Sequence, residues 1–327
     1  MADPNRMTLE GRRTMRKRVA NILKVAISLV GILALVLTQD LHQVGQLFRE
    51  MDWWVFLGAL LFIVLGTLVR SFRWGTLVWA LGIEASWLRL TGLFFVGTFY
   101  NLFLPTGMGG DAVKIYELSR DDGEVASAIS SVLVDRFLGL FVLFALALFV
   151  LAFSSELVRP DVRVLIVVGF FVCLIGVVLL LQRTWIETWG RRLGIDRLLG
   201  RFKTLRDLYD SIHLYSMGTL LRATLASIVW NLILILCYYL LASAVDIELP
   251  MGYFFLFVPV ISVLLLVPSV GGLGVREGAT VLLFSQAGVP ESQALALALA
   301  YDVILLVTAL IGASIYIFQG LFGMRRR

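Results

Sequence analysis

Two cysteines and two histidines in 327 residues leave little metal or redox chemistry to consider. Cys173 and Cys237 both sit inside apolar runs, spell no metal spacing and suggest no disulfide framework. His42 and His213 lie in separate polar segments, so no zinc or haem site and no other cofactor is expected. Charge is scarce as well, at 16% of residues. Also missing are a Walker A loop, a dinucleotide fingerprint in context, a catalytic triad and a zinc motif. The glycine-rich "GLGVREG" lies in an apolar segment and follows no soluble strand. A catalytic role is therefore not expected.

What is abundant is apolar sequence. Hydrophobic residues make up 59% of the chain and the mean hydropathy is +0.91, against about 45–50% apolar in soluble domains. The apolar runs are long and continuous rather than alternating, which favours helical spans over a β-barrel. They cover roughly 19–38, 53–82, 87–104, 125–153, 162–182, 218–245, 251–268, 273–287 and 292–321. The net charge of +5 fits basic cytoplasmic loops better than nucleic acid. Arg6, Arg12, Arg13, Arg16, Lys17 and Arg18 precede the first run and imitate a signal peptide. No small-x-small cleavage pattern follows, so an uncleaved first span with a basic, anionic-lipid-friendly flank is expected.

Counting every run up to 182 as a full crossing places the basic 183–213 loop opposite the basic N-terminus, which violates the positive-inside rule. The conflict disappears if 87–104 descends, breaks at "PTGMGG" and returns through 111–122 as a hairpin. The same logic applies to 251–287, broken at "PSVGGLG". On this topology the cytoplasmic segments carry 21 of the 28 Lys and Arg, and the outside segments carry three, Arg49, Arg159 and Arg163.

The hairpins expose a repeat. Pro105 and Pro268 are 163 residues apart, and at that offset 53–82 falls on 216–245 and 125–153 on 288–316. The expected fold is an all-α polytopic membrane protein, one membrane domain over 1–327. It has inverted-topology repeats at 19–153 and 162–321, each with one Pro-Gly-broken hairpin. That is about six full crossings plus two hairpins, or eight or more spans by simple counting. Inverted repeats with broken helices at their interface are a transporter architecture. Residues 183–215 form the extra linker. Leu198, Phe202, Leu205, Tyr209 and Ile212 recur there at three- and four-residue steps among Arg and Lys, as in an amphipathic helix on the inner leaflet or a partner-docking helix.

The breaks carry the chemistry. Pro105 removes a donor, and Gly109 and Gly110 allow tight backbone geometry, so freed N–H groups have to face protein or a polar cavity. Successive N–H groups at a helix start bind anions, and a lipid phosphate is a suitable one. Asp111 and Lys114 follow at once. Gly271 and Gly272 offer the same at the second break, with Arg276 and Glu277 after it. The competing reading is that the glycines only let hairpin arms pack closely. Asp135 and Arg136 fall about 15 Å into their span, near the midplane, where charges are costly and must be paired or face a cavity. Adjacent residues point about 100° apart, so they are not expected to pair only with each other. Asp302 sits one turn beyond the repeat equivalent of Asp135. A buried network that only fixes helix packing is the alternative for these charges. Arg70 and Arg73 share a face near the cytoplasmic end of a long span. Snorkelling toward headgroups is the reading favoured there, and headgroup binding is the alternative.

The strings "NLFLPTGMGGDAVKIYELSR", "SSVLVDRFLGL" and "VPSVGGLGVREGA" together resemble the family of the lysylphosphatidylglycerol synthase transmembrane region, a flippase-like membrane module. The resemblance runs from the first span to the last. It implies movement of lipids between leaflets. The expected location is the inner membrane of a prokaryote, with both termini cytoplasmic by the Lys and Arg count. In bifunctional members the module precedes a soluble aminoacyltransferase domain. Here "GMRRR" ends the sequence, so that domain is not expected, and with it no particular lipid is implied. Lys114 stands where Arg is common in the family, and Thr106-Gly107-Met108 precede Gly-Gly-Asp.

The leading expectation is a flippase for a phosphate-bearing lipid: a phospholipid, an aminoacyl-phospholipid or a polyprenyl-phosphate-linked lipid. Its partners would be anionic or zwitterionic headgroups, with no nucleic acid. A homo-oligomer or a membrane-bound transferase partner remains open. Two other classes stay open: a scaffold for a soluble glycosyl- or acyltransferase, and a membrane-embedded enzyme on a lipid-linked substrate.

Overall fold

The computed structural model describes residues 41–103, 109–122, 125–181, 203–267 and 269–321. The expected first span, Pro105, Pro268 and residues 182–202 of the linker lie outside the described residues. Every regular element described is helical. In chain order these are α1 (Leu41–Glu50), α2 (Trp53–Ala80), α3 (Trp87–Phe103), α4 (Gly109–Asp122), α5 (Val125–Phe153) and α6 (Pro160–Leu181). After them come α7 (Lys203–Ile212), α8 (Met217–Ala244), α9 (Met251–Leu264), α10 (Val275–Gln286) and α11 (Glu291–Leu321). A 3-10 turn at Ser155–Leu157 joins α5 to α6.

Five of these helices, α2, α5, α6, α8 and α11, are long and apolar enough to cross a bilayer. The protein is a polytopic helical membrane protein. Its outer surface is apolar, as a lipid-facing one must be: Leu57, Leu61 and Leu65 form an exposed stripe on α2, and Val164, Val168 and Ile175 one on α6. Two of the long helices, α2 and α8, start on side-chain caps. Asp52 Oδ1 accepts from the backbone N–H of Trp54 and Val55 at 2.9 and 3.2 Å, and Ser216 Oγ from Thr219 N–H at 3.1 Å. By contrast α4, α9 and α10 have 14, 14 and 12 residues. At 1.5 Å per residue they reach roughly 18–21 Å, short of a ~30 Å hydrocarbon core.

The order long, short, short, long occurs twice, in α2–α5 and in α8–α11. Packing follows the same pattern. α2 lies along its counterpart α8, α4 packs on α5 as α10 packs on α11, and each half leans on the other half's first short helix, α5 against α9 and α11 against α3. The α11–α3 approach is so close that a Cβ at Gly312 would fall 2.0 Å from Phe95 O. The larger core joins α2, α5, α6 and α8–α11, with Phe254 and Phe257 edge-on to Phe284. A smaller core ties the first hairpin to α2 through Trp74, Leu90, Phe94 and Leu118.

The second break is formed by the backbone itself. Gly271 and Gly272 have φ of 62° and 84°, in the left-handed region where a side chain is strained. The second break meets the end of α3 there, since a Cβ on Gly271 would lie 3.2 Å from Leu102 O. The described part of the linker, α7, docks on α5. Ser127 and Ser211 hydroxyls are 3.4 Å apart, and Ile212 and Tyr215 pack on Leu77, Val134, Leu138 and Leu220. Of the expected amphipathic stripe, Leu198 and Phe202 lie outside the described residues.

Candidate functional site

The charges predicted at membrane depth assemble into three ion-paired groups, and the pairing follows from helix geometry. On α5, Asp135 and Arg136 are adjacent and therefore diverge by about 100°. Asp135 turns to α2 and receives both forks of Arg73, Nε at 2.6 Å and Nη2 at 2.7 Å. The third nitrogen, Nη1, donates to Ser227 Oγ of α8 at 3.3 Å. Arg136 turns to α4 and pairs with Asp111, which also receives Lys114 Nζ at 3.2 Å. Lys114 in turn sits 3.7 Å above the Phe94 ring, a cation–π contact that offsets part of its desolvation. In the second half Arg276 of α10 pairs with Asp302 of α11. In both halves an ion pair thus joins the second short helix, α4 or α10, to the next long helix. The sense is reversed: the acid is on the short helix in the first half and on the long helix in the second.

Arg73 and Asp135 are 2% and 3% exposed. This corrects the snorkelling expectation for Arg73. The helix is rotated so that its arginine face lies against α5 and α8, where Asp135 and Ser227 hold the guanidinium. Gly139, one turn after Asp135, makes the room, because a Cβ there would be 2.9 Å from Arg73 Nη1. Arg70, one turn before Arg73, has no carboxylate within salt-bridge distance among the described residues. Its guanidinium lies between the rings of Phe94 and Trp230, 5.2 and 5.3 Å from their centroids, and its buried Nε has no hydrogen-bond partner among the described residues.

Between the two halves lies a cavity of about 320 Å³, in the range of small-ligand sites. Arg70, Arg73, Arg136 and Arg276 all line it. So do the neutral polar groups of Thr98, Asn101, Asn231 and Ser262, with Gly271, Gly272 and Tyr301. Among the described residues no acid lines it. Asp111, Asp135 and Asp302 stand behind the arginines and hold them, so the carboxylates act as anchors and the cavity wall is cationic. Four guanidiniums thus turn toward one half-open space.

Several expected site residues are placed elsewhere. Asp111, Lys114, Asp135, Glu277 and Asp302 do not line the cavity. The expectation puts them along the lipid path, and each instead fills a position behind or beside an arginine. Gly109 starts α4 away from the cavity. Gly110 packs α4 on α3, where a Cβ would fall 2.2 Å from Gly97 O, and its N–H already donates to Asn101 Oδ1 at 2.7 Å. That N–H is spent on the hairpin rather than offered to an anion. Gly271, Gly272, Arg276, Arg70, Arg73 and Arg136 do converge on one space. Sequence reasoning does not single out Asn101, Gly139, Asn231 or Tyr301. Asn231 has a readable cue, a lone amide inside "IVWNLILIL"; its Nδ2 donates to Gly139 O at 3.1 Å.

Residues 21–312 match the family model described as the lysylphosphatidylglycerol synthase TM region. A UPF0104 membrane protein from Pyrococcus horikoshii is 23% identical over 192 residues, which are 58% of this chain and 56% of that protein. The match thus spans little more than half the length of that relative. No solved structure matches the chain.

Proposed function

We propose that this chain, which belongs to the family of the lysylphosphatidylglycerol synthase TM region, moves a phosphate-bearing lipid between leaflets. It acts as a transporter rather than an enzyme. The observation that carries this reading is the cavity walled by Arg70, Arg73, Arg136 and Arg276, to which both halves contribute. A phosphate that has left water needs several charge-assisted donors at once, and planar guanidiniums supply them in pairs. The acyl or polyprenyl chains stay in the bilayer while the headgroup crosses through the cavity. The repeats at 19–153 and 162–321 have opposite orientations, so the hairpins open the one site alternately to each face.

Purified protein in phosphatidylcholine vesicles containing a fluorescent phosphatidylglycerol tests this directly. The label should become accessible from outside faster than in protein-free vesicles, with no change in lipid structure by mass spectrometry. Arg70→Gln should slow exchange on the order of tenfold, because Arg70 has no carboxylate to satisfy and is the guanidinium freest to meet the phosphate. A new lipid product would instead make the protein an enzyme, and no exchange above vesicles alone would end the transport reading.

The topology makes its own prediction. Met1, Asp121, Lys203 and Arg327 should face the cytoplasm of a prokaryotic inner membrane, and Gln43, Glu156, Asp246 and Glu291 the outside. Single cysteines at these positions can be labelled in intact cells with an impermeant reagent, against a low background, because Cys173 and Cys237 are buried. Outside labelling at Asp121 would remove the first hairpin.

A further inference from the structure

The charged groups at the cavity do not balance. Arg73 is matched by Asp135 and Arg276 by Asp302, while Arg136 and Lys114 share Asp111. Arg70 has no carboxylate within salt-bridge distance among the described residues, and its buried Nε has no hydrogen-bond partner among them. Glu277, the residue after Arg276, is a fourth buried acid. Five bases therefore stand against four acids, and one positive charge is left over even with every carboxyl ionised. Neither break adds an acid, since 104–108 reads LPTGM and position 268 is Pro. An uncompensated charge at membrane depth is costly, and a ligand with a single negative charge cancels it.

The neutral groups of the wall narrow the ligand further. Thr98 Oγ1 donates its proton to Phe94 O at 3.1 Å, and Ser262 Oγ donates to Val258 O at 2.8 Å. Asn231 Nδ2 donates to Gly139 O at 3.1 Å, and its Oδ1 remains. What these three side chains keep for a ligand includes lone pairs, which accept from a hydroxyl. A hydroxyl is satisfied by such neutral oxygens. An ammonium is not, because it would stand among Arg70, Arg73, Arg136 and Arg276 with no acid of the described residues lining the space. Unpaired like charge is how a site rejects a competing ligand.

We propose that the cavity takes a lipid whose headgroup is a singly charged phosphodiester ending in hydroxyls, and rejects headgroups that carry an amine. The proposal rests on the transport reading above and names its substrate class. The guanidiniums hold the phosphate, with Arg70 supplying the uncompensated charge, and Thr98, Asn231 and Ser262 accept from the hydroxyls. Phosphatidylglycerol has this chemistry. Phosphatidylethanolamine, phosphatidylserine and aminoacylated phospholipids do not, since each brings an ammonium.

Competition binding in detergent needs no transport and is read first. Purified protein holds fluorescent phosphatidylglycerol, and unlabelled lipids with the same acyl chains displace it. Phosphatidylglycerol should compete on the order of tenfold better than phosphatidylethanolamine, and as much better than phosphatidylserine, which has the same net charge but an ammonium. Phosphatidylmethanol, which has the charge and no hydroxyl, should fall between. Equal competition by phosphatidylserine or phosphatidylethanolamine overturns the proposal. Arg70→Gln should weaken phosphatidylglycerol on the order of tenfold and leave phosphatidylethanolamine unchanged. Binding that ignores this change sits on the basic outer surface and overturns the assignment to the cavity. Ser262→Asp puts a carboxylate into the wall and should bring the two lipids close to parity, while Ser262→Asn keeps them apart. An unchanged preference in Ser262→Asp overturns selection by charge. The same order should hold for exchange of the fluorescent lipids in phosphatidylcholine vesicles. Selective binding without exchange overturns the transport reading and leaves the headgroup class standing. Exchange of phosphatidylethanolamine as fast as phosphatidylglycerol overturns the headgroup class and leaves transport standing.

Discussion

Asp135→Ala should leave too little folded protein to assay. The carboxylate receives two guanidinium nitrogens of Arg73 at 2.6 and 2.7 Å, and both side chains are almost wholly buried. Its removal strands Nε and Nη2 without their acceptor. Only the 3.3 Å contact of Nη1 with Ser227 survives. Breaking a buried pair from one side costs about 3–5 kcal/mol, a large share of the roughly 5–15 kcal/mol that typically separates folded from unfolded chains. Thermal aggregation in detergent, followed by size exclusion, should show a clear drop against wild type. A wild-type profile would mean that Arg73 finds another anion. The double change Arg73→Met with Asp135→Leu separates folding from function. Removing both charges together is often neutral or stabilising by up to about 4 kcal/mol, so this variant should regain the folded peak. Lipid exchange should stay low, because the cavity has lost one of its four guanidiniums. Recovery of both would make the pair structural only.

The long helices are legible in the sequence because length and continuous apolarity are properties of a single segment. α2, α5, α8 and α11 fall where the apolar runs and the 163-residue offset put them. The divergence of Asp135 and Arg136 is also legible, since it follows from the helix period alone. What a sequence does not carry is which way a helix is rotated about its axis. Arg73 looks like a headgroup-seeking arginine from its place near a helix end. It is turned inward because α2 lies along α8, and its partner Asp135 is 62 residues away in the chain. The acids are expected along the path for a related reason. Spacing reveals that a charge lies near the centre, but not whether it stands in front of its partner or behind it. Asn101 is a third case. An amide just before a Pro-Gly break can serve the backbone or the cavity, and here it does both, taking the N–H of Gly110 while lining the cavity.

The two breaks therefore differ in what their glycines do, and substitution should separate them. At Gly110 a Cβ would fall 2.2 Å from Gly97 O and 2.9 Å from Asn101 Nδ2. The first obstacle is a backbone carbonyl of the facing arm, which cannot swing aside. Gly110→Ala should force α3 and α4 apart, at the roughly 1–3 kcal/mol of overpacking or more, and lower thermal stability along with the yield of folded protein. At Gly272 the obstacles are side-chain ends, Arg276 Nη2 and Leu265 Cδ2, each 2.9 Å from where the new methyl would sit. These can move. The φ of 84° adds strain of about 1–2 kcal/mol, which the fold can bear. The displaced guanidinium is one of the four that line the cavity, so Gly272→Ala should keep insertion and most of its stability while lipid exchange per folded molecule falls on the order of tenfold. Gly278, on the same helix as Arg276, meets nothing within 4 Å. Gly278→Ala should leave exchange intact and add up to ~1 kcal/mol of helix propensity. Normal exchange by Gly272→Ala would remove Arg276 from the headgroup site. Loss of exchange by Gly110→Ala at full stability would extend that site to the first hairpin, and the lipid phosphate would then be held from both breaks rather than from one.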